Sequence, residues 1–275
     1  MSSTDLFSSS LVDIGLNLAH DSFDSDRSEL IARALSHHVR HMIITGSSIA
    51  STQRALHFVH ERRDLFRCTA GIHPHHASDL DDATFEQLTW LAKHHDVVAV
   101  GECGLDYFRN FSPVDVQRKA LRQQLEIASN LKKPVFLHQR DAHEDFVAIL
   151  RESRAGLTGG VAHCFTAGLD EARAYLELGL YIGITGWICD ERRGKHLVDV
   201  VKYIPQDRLL IETDAPYLLP RDIQPKPSTR RNEPMYLPYV LKAIAAARGE
   251  PVEELARATT RNARALFGWP SPDAG

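Results

Sequence analysis

The sequence predicts a single (β/α)8 barrel of the TIM type. Short apolar runs typical of strands alternate with helical patterns along the chain, and there are eight such runs. Alternation of strands and helices predicts a parallel sheet, and eight repeats predict its closure into a barrel. The 275 residues, of which 43% are hydrophobic, suffice for one such domain. We expect the barrel to span residues 11–268, with loose segments at 1–10 and 269–275.

The predicted strands are short, apolar and rich in β-branched residues. They are LVDIGLN (11–17), HMIITG (41–46), RCTAGIH (67–73), VVAVGECGL (97–105), PVFLHQ (134–139), GVAHCF (160–165), YIGITG (181–186) and LLIETDAP (209–216). Helical patterns between them include RSELIARAL, FEQLTWLAKHH, VDVQRKALRQQLEIASNL, DEARAYLEL and GKHLVDVV. The third of these patterns has the clearest start, with Ser112 as the expected N-cap, Pro113 in the first helical position and Asp115 in the third.

A proline-rich stretch at residues 216–234 follows the eighth predicted strand. Its prolines leave few backbone N–H donors for regular structure, so we expect a long ordered loop. Two helical patterns come next, at 234–249 and 251–268. Gly249 and Pro251 predict the end of one helix and the start of the other.

Six of the predicted strands end in a side chain that suits a metal or a polar substrate. These side chains are Asn17, His73, Glu102, His138, His163 and Asp214. In a parallel barrel the C-terminal ends of the strands meet at one mouth, so residues far apart in sequence can share one site. Because side chains alternate along a strand, Glu102, His138 and His163 each share a face with the apolar residue two positions earlier.

These residue types predict a divalent metal site and, with it, a metal-dependent hydrolase. Imidazole and carboxylate ligands hold one or two divalent cations and leave positions for water and substrate. A lone histidine at a strand end more often makes a structural hydrogen bond, but four such residues together favour a cation. We therefore predict Glu102, His138, His163 and Asp214 as the metal ligands. Such a cation lowers the pKa of water and polarises a phosphoryl or carbonyl oxygen.

Two further residues have roles that the sequence leaves open. His73 either binds a substrate oxygen or a metal, or stabilises the turn before Pro74. Glu212 either orients a metal ligand or pairs with an arginine. We expect His75 and His76 to be solvated.

The charge pattern bears on the substrate. A net charge of −4 argues against broad affinity for polyanions. The loops after the predicted strands nevertheless carry arginines, among them Arg140 and Arg221, whose planar guanidinium groups suit phosphate. Acidic residues in the same loops leave ordinary ion pairs as the alternative. The aromatic residues Tyr107, Phe108, Phe111, Trp187 and Tyr217 either stack on unpaired bases or pack their own loops.

The sequence also bears on the compartment. No apolar run approaches the roughly 20 residues that span a bilayer, and the four cysteines include no CxxC pair. We expect a cytoplasmic protein with no membrane association.

The strand-end motifs resemble those of the TatD family of metal-dependent deoxyribonucleases, within the amidohydrolase-like superfamily. The resemblance includes DIGLNL, AGIHPH, VAVGECGLDYFRNFS, PVFLHQRDAHEDF, AHCFT and LLIETDAPYLLPRD, and leaves out only the first ten or so residues. It implies a Mg²⁺-dependent nuclease, with Mn²⁺ as another candidate ion, that removes nucleotides from single-stranded DNA or RNA in the 3′ to 5′ direction. A role in DNA repair or nucleic-acid quality control is implied as well, and we expect a monomer.

The resemblance also implies roles for individual residues. The family's metal ligands match Glu102, His138 and His163, its acid after strand eight matches Asp214, and its substrate-contacting histidine matches His73. We accordingly expect Asp214, His73 and Glu102 to act in catalysis, with Asp214 positioning or deprotonating the attacking water. The predicted substrate-binding residues are His73, Asn17, Arg140 and Arg221, and the predicted supporting residue is Glu212.

One departure from the family pattern concerns the first strand. Many relatives begin with an Asp-x-His-x-His motif, where this chain has Asp13, Gly15 and Asn17. Neither glycine nor asparagine replaces a histidine ligand well. We therefore expect one tightly held metal ion rather than two.

Two alternative functions remain open at the level of sequence. The same metal barrel could hydrolyse an amide, an ester or an aminoacyl-tRNA bond, because one scaffold supports many substrates. Alternatively, the chain could be a noncatalytic nucleic-acid-binding barrel that has lost its first-strand ligands. The first predicts metal-dependent hydrolysis of another substrate, and the second predicts binding without turnover.

Overall fold

The computed structural model describes residues 8–269, over which eight strands form one sheet in the order of the sequence. They are β1 (Leu11–Leu16), β2 (Val39–Ile44), β3 (Phe66–Ala70), β4 (Val97–Asp106), β5 (Val135–Arg140), β6 (Gly160–Ala162), β7 (Tyr181–Ile184) and β8 (Leu209–Ile211). Strand β3 pairs with β4, β4 with β5, β5 with β6, and β7 with β8, all in parallel. Leu16 at the end of β1 forms a parallel bridge with Ala215, just after β8. This topology confirms the predicted (β/α)8 barrel.

Helices follow the strands as the alternation predicts. They are α1 (Arg27–Ser36), α2 (Ile49–Glu61), α3 (Asp82–Ala92), α4 (Val114–Leu131), α5 (His143–Ser153), α6 (Leu169–Glu177), α7 (Leu197–Tyr203), α8 (Leu237–Arg248) and α9 (Val252–Phe267). Short 3-10 turns occur at Asp21–Phe23, Pro74–Asp79, Arg154–Gly156, Gly186–Cys189, Gln206–Arg208 and Pro234–Tyr236. None of the helices within residues 8–269 has the length and apolarity needed to cross a membrane.

The predicted boundary between the last two helices is confirmed, whereas α8 begins three residues later than its helical pattern, at Leu237. The proline-rich stretch between β8 and the turn at Pro234–Tyr236 contains no helix or strand. Helix α8 ends at Gly249, which has a φ of 67°, and α9 begins directly after Pro251. Glycine adopts this left-handed conformation without the steric cost that a Cβ atom brings.

The predicted start of α4 is wrong in detail. Pro113, with a ψ of 147°, is the N-cap rather than the first helical residue. Ser112 is buried, and its hydroxyl donates to the carbonyl oxygen of His75 at 3.1 Å. The serine therefore fixes a loop to the turn after β3 instead of capping the helix.

The described residues divide into two compact units. The first unit comprises residues 8–43, 164–172 and 182–269, and the second comprises residues 44–163 and 173–181. The first has a core that includes the fully buried Ile14 and Leu210, and the second a core that includes the fully buried Val100, Phe136 and Leu137. A single domain over 11–268 stays a prediction.

The predicted loose ends fall largely outside the described residues, which exclude 1–7 and 270–275. Within the described part, the hydroxyl of Ser9 donates to Glu253 at 2.6 Å, and the hydroxyl of Thr260 donates to the carbonyl oxygen of Ser10 at 2.7 Å. The ring of Trp269 packs edge-on against His41, with 4.6 Å between centroids. These contacts connect both ends of the described chain to the first unit.

Candidate metal centre

A single carboxylate oxygen lies at the centre of the candidate site in the second unit. Oε1 of Glu102 is 2.9 Å from Nε2 of His163, 3.2 Å from Nδ1 of His138 and 3.3 Å from Nε2 of His73. The glutamate is only 8% exposed, so the imidazoles replace most of its contacts with water. Four residues that the sequence singled out are thus brought together.

The ends of four neighbouring strands position these side chains. Glu102 lies in β4 and His138 in β5, His163 directly follows β6, and His73 follows β3 as the N-cap of a 3-10 turn. Their backbone N–H groups continue the sheet: that of Glu102 donates to Gly46 at 2.8 Å, and that of His163 to Leu137 at 2.9 Å. The side chains therefore converge from backbone that is itself hydrogen-bonded.

A β-bulge in β4 orients Glu102. In the register of β4 with β5, Val100 faces Val135 and Cys103 faces Leu137, so β4 has one extra residue between these pairs. A bulge locally redirects side chains and is common next to functional sites. The alternation of faces predicted from sequence is interrupted at this point.

Burial and the neighbouring imidazoles determine the charge of the cluster. Burial opposes ionisation of Glu102, but the imidazoles of His73, His163 and His138 hold its pKa well below the usual range. Burial likewise opposes the charged form of His138, but the carboxylates of Asp106 and Glu102 outweigh it and raise the pKa. For His73 burial prevails and lowers the pKa. The cluster thus combines a carboxylate with imidazoles of different basicity.

The donor atoms fit a divalent cation. His73, Glu102 and His138 each offer a ligand atom, and these atoms all lie within 4.8 Å of one another. Within residues 8–269, Nε2 of His138 is buried without a hydrogen-bond partner, since the carboxylate oxygen of Asp106 lies 3.6 Å away. Buried polar atoms are nearly always satisfied, so an unpaired imidazole nitrogen beside an acidic cluster is consistent with a metal ligand.

Asp106 and His75 extend the cluster, and neither was among the predicted site residues. His75, which was expected to be solvated, approaches Asp106 at 2.7 Å, and its ring lies 4.2 Å from that of His73. Burial opposes ionisation of Asp106, but its contacts with His138, His75 and the N–H of Arg109 lower its pKa. The available signal was position, because Asp106 lies four residues after Glu102 in the same strand. His76, in contrast, is exposed as predicted.

Asn17 and Asp214 pair with each other in the first unit. The amide of Asn17 donates to the carboxylate of Asp214 at 3.0 Å, and the N–H of Asp214 donates to Gly15 at 2.8 Å. Asp214 has a φ of 54°, a strained conformation that is common at functional sites. Its role as a metal ligand, and that of Asn17 in substrate binding, stay predictions.

The other predicted residues have separate environments. Glu212 is fully buried and accepts a hydrogen bond from the N–H of Cys164. The guanidinium of Arg140 lies 3.8 Å from the centroid of the Phe108 ring. Arg221 makes a bidentate ion pair with Glu191, with both distances 3.0 Å. The ordinary ion pair that the sequence left open is thus present for Arg221.

Arg221 also lines a basic groove of about 790 Å³ in the first unit. The lining includes Trp187, Arg192, Arg193, Arg221, Lys226 and Arg230. Asp190 and Glu191 neutralise part of this charge, because Asp190 pairs with Arg193 at 3.0 Å. The local charge is positive although the net charge of the chain is −4, and such a groove suits a phosphate-bearing ligand.

The chain is similar in sequence to a known protein family and to individual proteins. A family model described as TatD related DNase matches residues 12–268. Two similar proteins are both called 3′-5′ ssDNA/RNA exonuclease TatD. The protein from Salmonella typhimurium is 48% identical, and the match covers 94% of this chain and 98% of that protein. The protein from Erwinia amylovora is 49% identical, and the match covers 94% of this chain and 100% of that protein.

Solved structures are similar over nearly the whole chain. A TatD family hydrolase from Entamoeba histolytica has a TM-score of 0.87 and 25% identity, over 96% of this chain and 100% of that one. The TatD homologue YJJV from Escherichia coli has a TM-score of 0.86 and 29% identity, over 94% of this chain and 98% of that one.

Substitution of Gly104 tests how the backbone positions His138. A Cβ atom on Gly104 would lie 1.8 Å from the carbonyl oxygen of His138, and the φ of Gly104 is +154°. We expect Gly104→Ala to destabilise the protein by about 2 kcal/mol or more and to reduce the rise in Tm on adding Mn²⁺. Gly249→Ala is the control, because its φ of +67° is also positive but nothing lies within 4 Å. Gly249→Ala should lower Tm without changing the rise in Tm on adding Mn²⁺. Equal Mn²⁺ responses in both variants would contradict this role.

The buried Asp13 predicts a pH-dependent stability. Burial raises its pKa from 3.8 to about 7, although hydrogen bonds from Thr213 and Gly15 oppose this. A carboxyl group with a raised pKa in the folded state stabilises the protein fully below pH 3.8, and this contribution is lost as the pH rises through about 7. From pH 5 to pH 8, the free energy of unfolding should fall by about 2 kcal/mol relative to that of Asp13→Asn.

Urea unfolding at the two pH values measures this difference. The asparagine keeps the shape of the side chain, and the hydroxyl of Thr213 can accept from its amide group. Asp207→Asn is the control, because the Asp207 side chain is 70% exposed. A constant difference between wild type and Asp13→Asn would be inconsistent with the raised pKa.

Proposed function

Because the chain belongs to the TatD related DNase family, we propose that it removes nucleotides from the 3′ end of single-stranded DNA, and of RNA, in a reaction that depends on a divalent metal ion. It is a hydrolase that acts on nucleic acids. The observation that carries the proposal is the convergence of three imidazoles on the Glu102 carboxylate at the strand ends. The two relatives described above support the direction and the substrate, since both are called 3′-5′ ssDNA/RNA exonucleases.

We propose Mg²⁺ as the metal, with Mn²⁺ as a substitute, and one tightly held ion. Glu102, His138, His163 and Asp214 would hold it, and when bound it supplies Lewis acidity toward a phosphoryl oxygen and toward water. Carboxylate and water oxygens suit Mg²⁺ and Mn²⁺, whereas imidazole ligands suit later transition-metal ions such as Zn²⁺. The mixed ligand set therefore favours activity with more than one divalent ion.

The chain's own residues orient the reactants. Burial lowers the pKa of His73. Its Nδ1 accepts from the backbone N–H of His75 at 3.1 Å, so its ring N–H lies on Nε2, which faces Glu102 at 3.3 Å, and this N–H orients a phosphodiester oxygen beside the carboxylate. Asp214 positions or deprotonates the attacking water, and its hydrogen bond from Asn17 holds the carboxylate in one orientation. Arg140 and Arg221 bind phosphates of the strand, and Glu212 supports the site through the backbone of Cys164.

The wider setting of this activity is also a proposal. We propose that the protein works in the cytoplasm as a monomer, in DNA repair or nucleic-acid quality control.

Digestion of end-labelled oligonucleotides tests the proposed function. With a 5′ label and Mg²⁺ or Mn²⁺, single-stranded DNA should give a ladder that shortens from the 3′ end, and EDTA should abolish it. Glu102→Gln should lower the rate by more than about a hundredfold, because it removes the carboxylate that the imidazoles surround. Glu126→Gln, an exposed position on α4, is the control. Undiminished digestion in EDTA would contradict a metal-dependent reaction.

The role of Asp214 has a separate test. Asp214→Asn keeps an oxygen that can accept from Asn17 but cannot take a proton. We expect kcat to fall by about 10²- to 10⁴-fold while the Kd for the oligonucleotide changes little. Single-turnover rates and fluorescence anisotropy measure the two quantities, with the exposed Asp207→Asn as control. Equal losses in rate and binding would indicate a structural role instead.

A further inference from the structure

The loop between β4 and α4 exposes two phenyl rings beside the candidate metal centre. This segment, residues 107–113, is called the aromatic loop below. Phe108 is 55% exposed and Phe111 is 69% exposed, whereas Ser112 between Phe111 and the helix is buried. Exposed apolar rings next to a polar cluster are candidates for a ligand-binding surface.

The backbone of the aromatic loop is held firmly. Gln117 is buried, accepts from the N–H of Asp106 at 2.8 Å, and donates to the carbonyl oxygen of Ser112 at 2.7 Å. The N–H of Arg109 donates to the Asp106 carboxylate at 2.8 Å, and the hydroxyl of Ser112 donates to His75 at 3.1 Å. The backbone that carries the rings is therefore held in place, which reduces the entropic cost of ordering the loop around a ligand.

Phe111 is connected to the candidate metal centre through one residue. Its ring lies edge-on to the His75 ring, with 4.8 Å between centroids. The His75 ring lies 4.2 Å from that of His73, which contacts Glu102 at 3.3 Å. A phosphodiester held at His73 would thus have the base of an adjacent nucleotide within reach of Phe111.

Phe108 holds a cation beside the same loop. The guanidinium of Arg140 lies 3.8 Å from the centroid of the Phe108 ring, and Arg140 follows His138 by two residues at the end of β5. A guanidinium stacked on a ring keeps its N–H edge for a phosphate oxygen. The aromatic loop thereby combines an aromatic face with an oriented cation, as in sites that bind single-stranded nucleic acid.

We propose that Phe111 is a stacking platform for the nucleobase next to the phosphodiester that is hydrolysed, and that Arg140, held by Phe108, binds the neighbouring phosphate. The proposal rests on the proposed nuclease function. It adds recognition of the nucleobase, which the metal site does not contact. Phe111 is a positioning residue, because stacking is sequence-tolerant and fixes where the strand end lies. It also favours unpaired strands, since a paired base is already stacked within its duplex.

Two cycles test the platform, each with two proteins and with one intact and one abasic oligonucleotide. Wild type and Phe111→Ala are assayed on oligonucleotides that carry a base, or an abasic analogue, at the terminal or the penultimate position. On the substrate with the base, Phe111→Ala should lower kcat/KM between about fivefold and 150-fold. On the oligonucleotide that lacks the base which stacks on Phe111, Phe111→Ala should change kcat/KM less than about threefold, because the stacking partner is already missing.

Further variants separate stacking from packing. Phe111→Leu keeps an apolar side chain but no ring, and should resemble Phe111→Ala, whereas Phe111→Trp should retain the preference for a base. Trp90→Ala is the matched control, because Trp90 is 70% exposed on α3, and it should leave both substrates unchanged. The Mg²⁺ concentration for half-maximal rate should be the same in Phe111→Ala and wild type.

Several results would overturn the platform. They are no effect of Phe111→Ala, equal effects on the two substrates, or a shifted Mg²⁺ requirement that reports a disturbed His75. The same cycles measured as binding, by fluorescence anisotropy, decide the question without turnover. A wild type that hydrolyses no oligonucleotide therefore contradicts the proposed nuclease function, while the binding cycles still accept or reject the platform.

Discussion

Burial of the Glu102 carboxylate is the constraint on which the second unit's site depends. A carboxylate that is 8% exposed loses most of its hydration, and such a group is stable only when charges or hydrogen bonds replace the water. Three imidazoles do so around one oxygen. Each imidazole comes from the end of a different strand. The stabilisation of the Glu102 carboxylate therefore depends on the register of β3, β4, β5 and β6.

The cluster changes in character from its centre to its surface. Glu102 and His163 are buried, while His73 and His138 are partly accessible. His75 and Asp106 extend the hydrogen-bonded network outward, and Phe111 and Arg140 lie beyond them. A substrate that approached along this path would meet an aromatic ring and a cation first and the metal ligands last. Binding and chemistry would then use different residues of β4, β5 and the aromatic loop.

The sequence predicted most of the fold and the residues of the cluster, because strand ends in a parallel barrel leave a strong pattern. The bounds of α4, Val114–Leu131, match its helical pattern, and Glu102, His138 and His163 converge as expected. Strand β8 ends at Ile211, earlier than its apolar run. Asp214 has a positive φ, and a run of apolar letters does not reveal such a change of conformation. The bulge in β4 could not be predicted from sequence either, because it is defined by the register of β4 with its partner strand β5.

Asp106 and His75 show a different limit. His75 was expected to be solvated, and Asp106 was not among the predicted site residues. Their contact depends on the turn after β3 reaching the end of β4, and on Ser112 bonding to His75. Pairings of this kind join residues about 30 positions apart through hydrogen bonds that no local pattern encodes.

The most direct measurement of the central claim is anomalous diffraction from crystals soaked in Mn²⁺. The proposed site predicts a strong peak in contact with Glu102, His138 and His163, three of the four proposed ligands. Crystals of Glu102→Gln should lack this peak. A peak that lies elsewhere, or that persists unchanged in Glu102→Gln, would contradict a cation held by this carboxylate and its imidazoles.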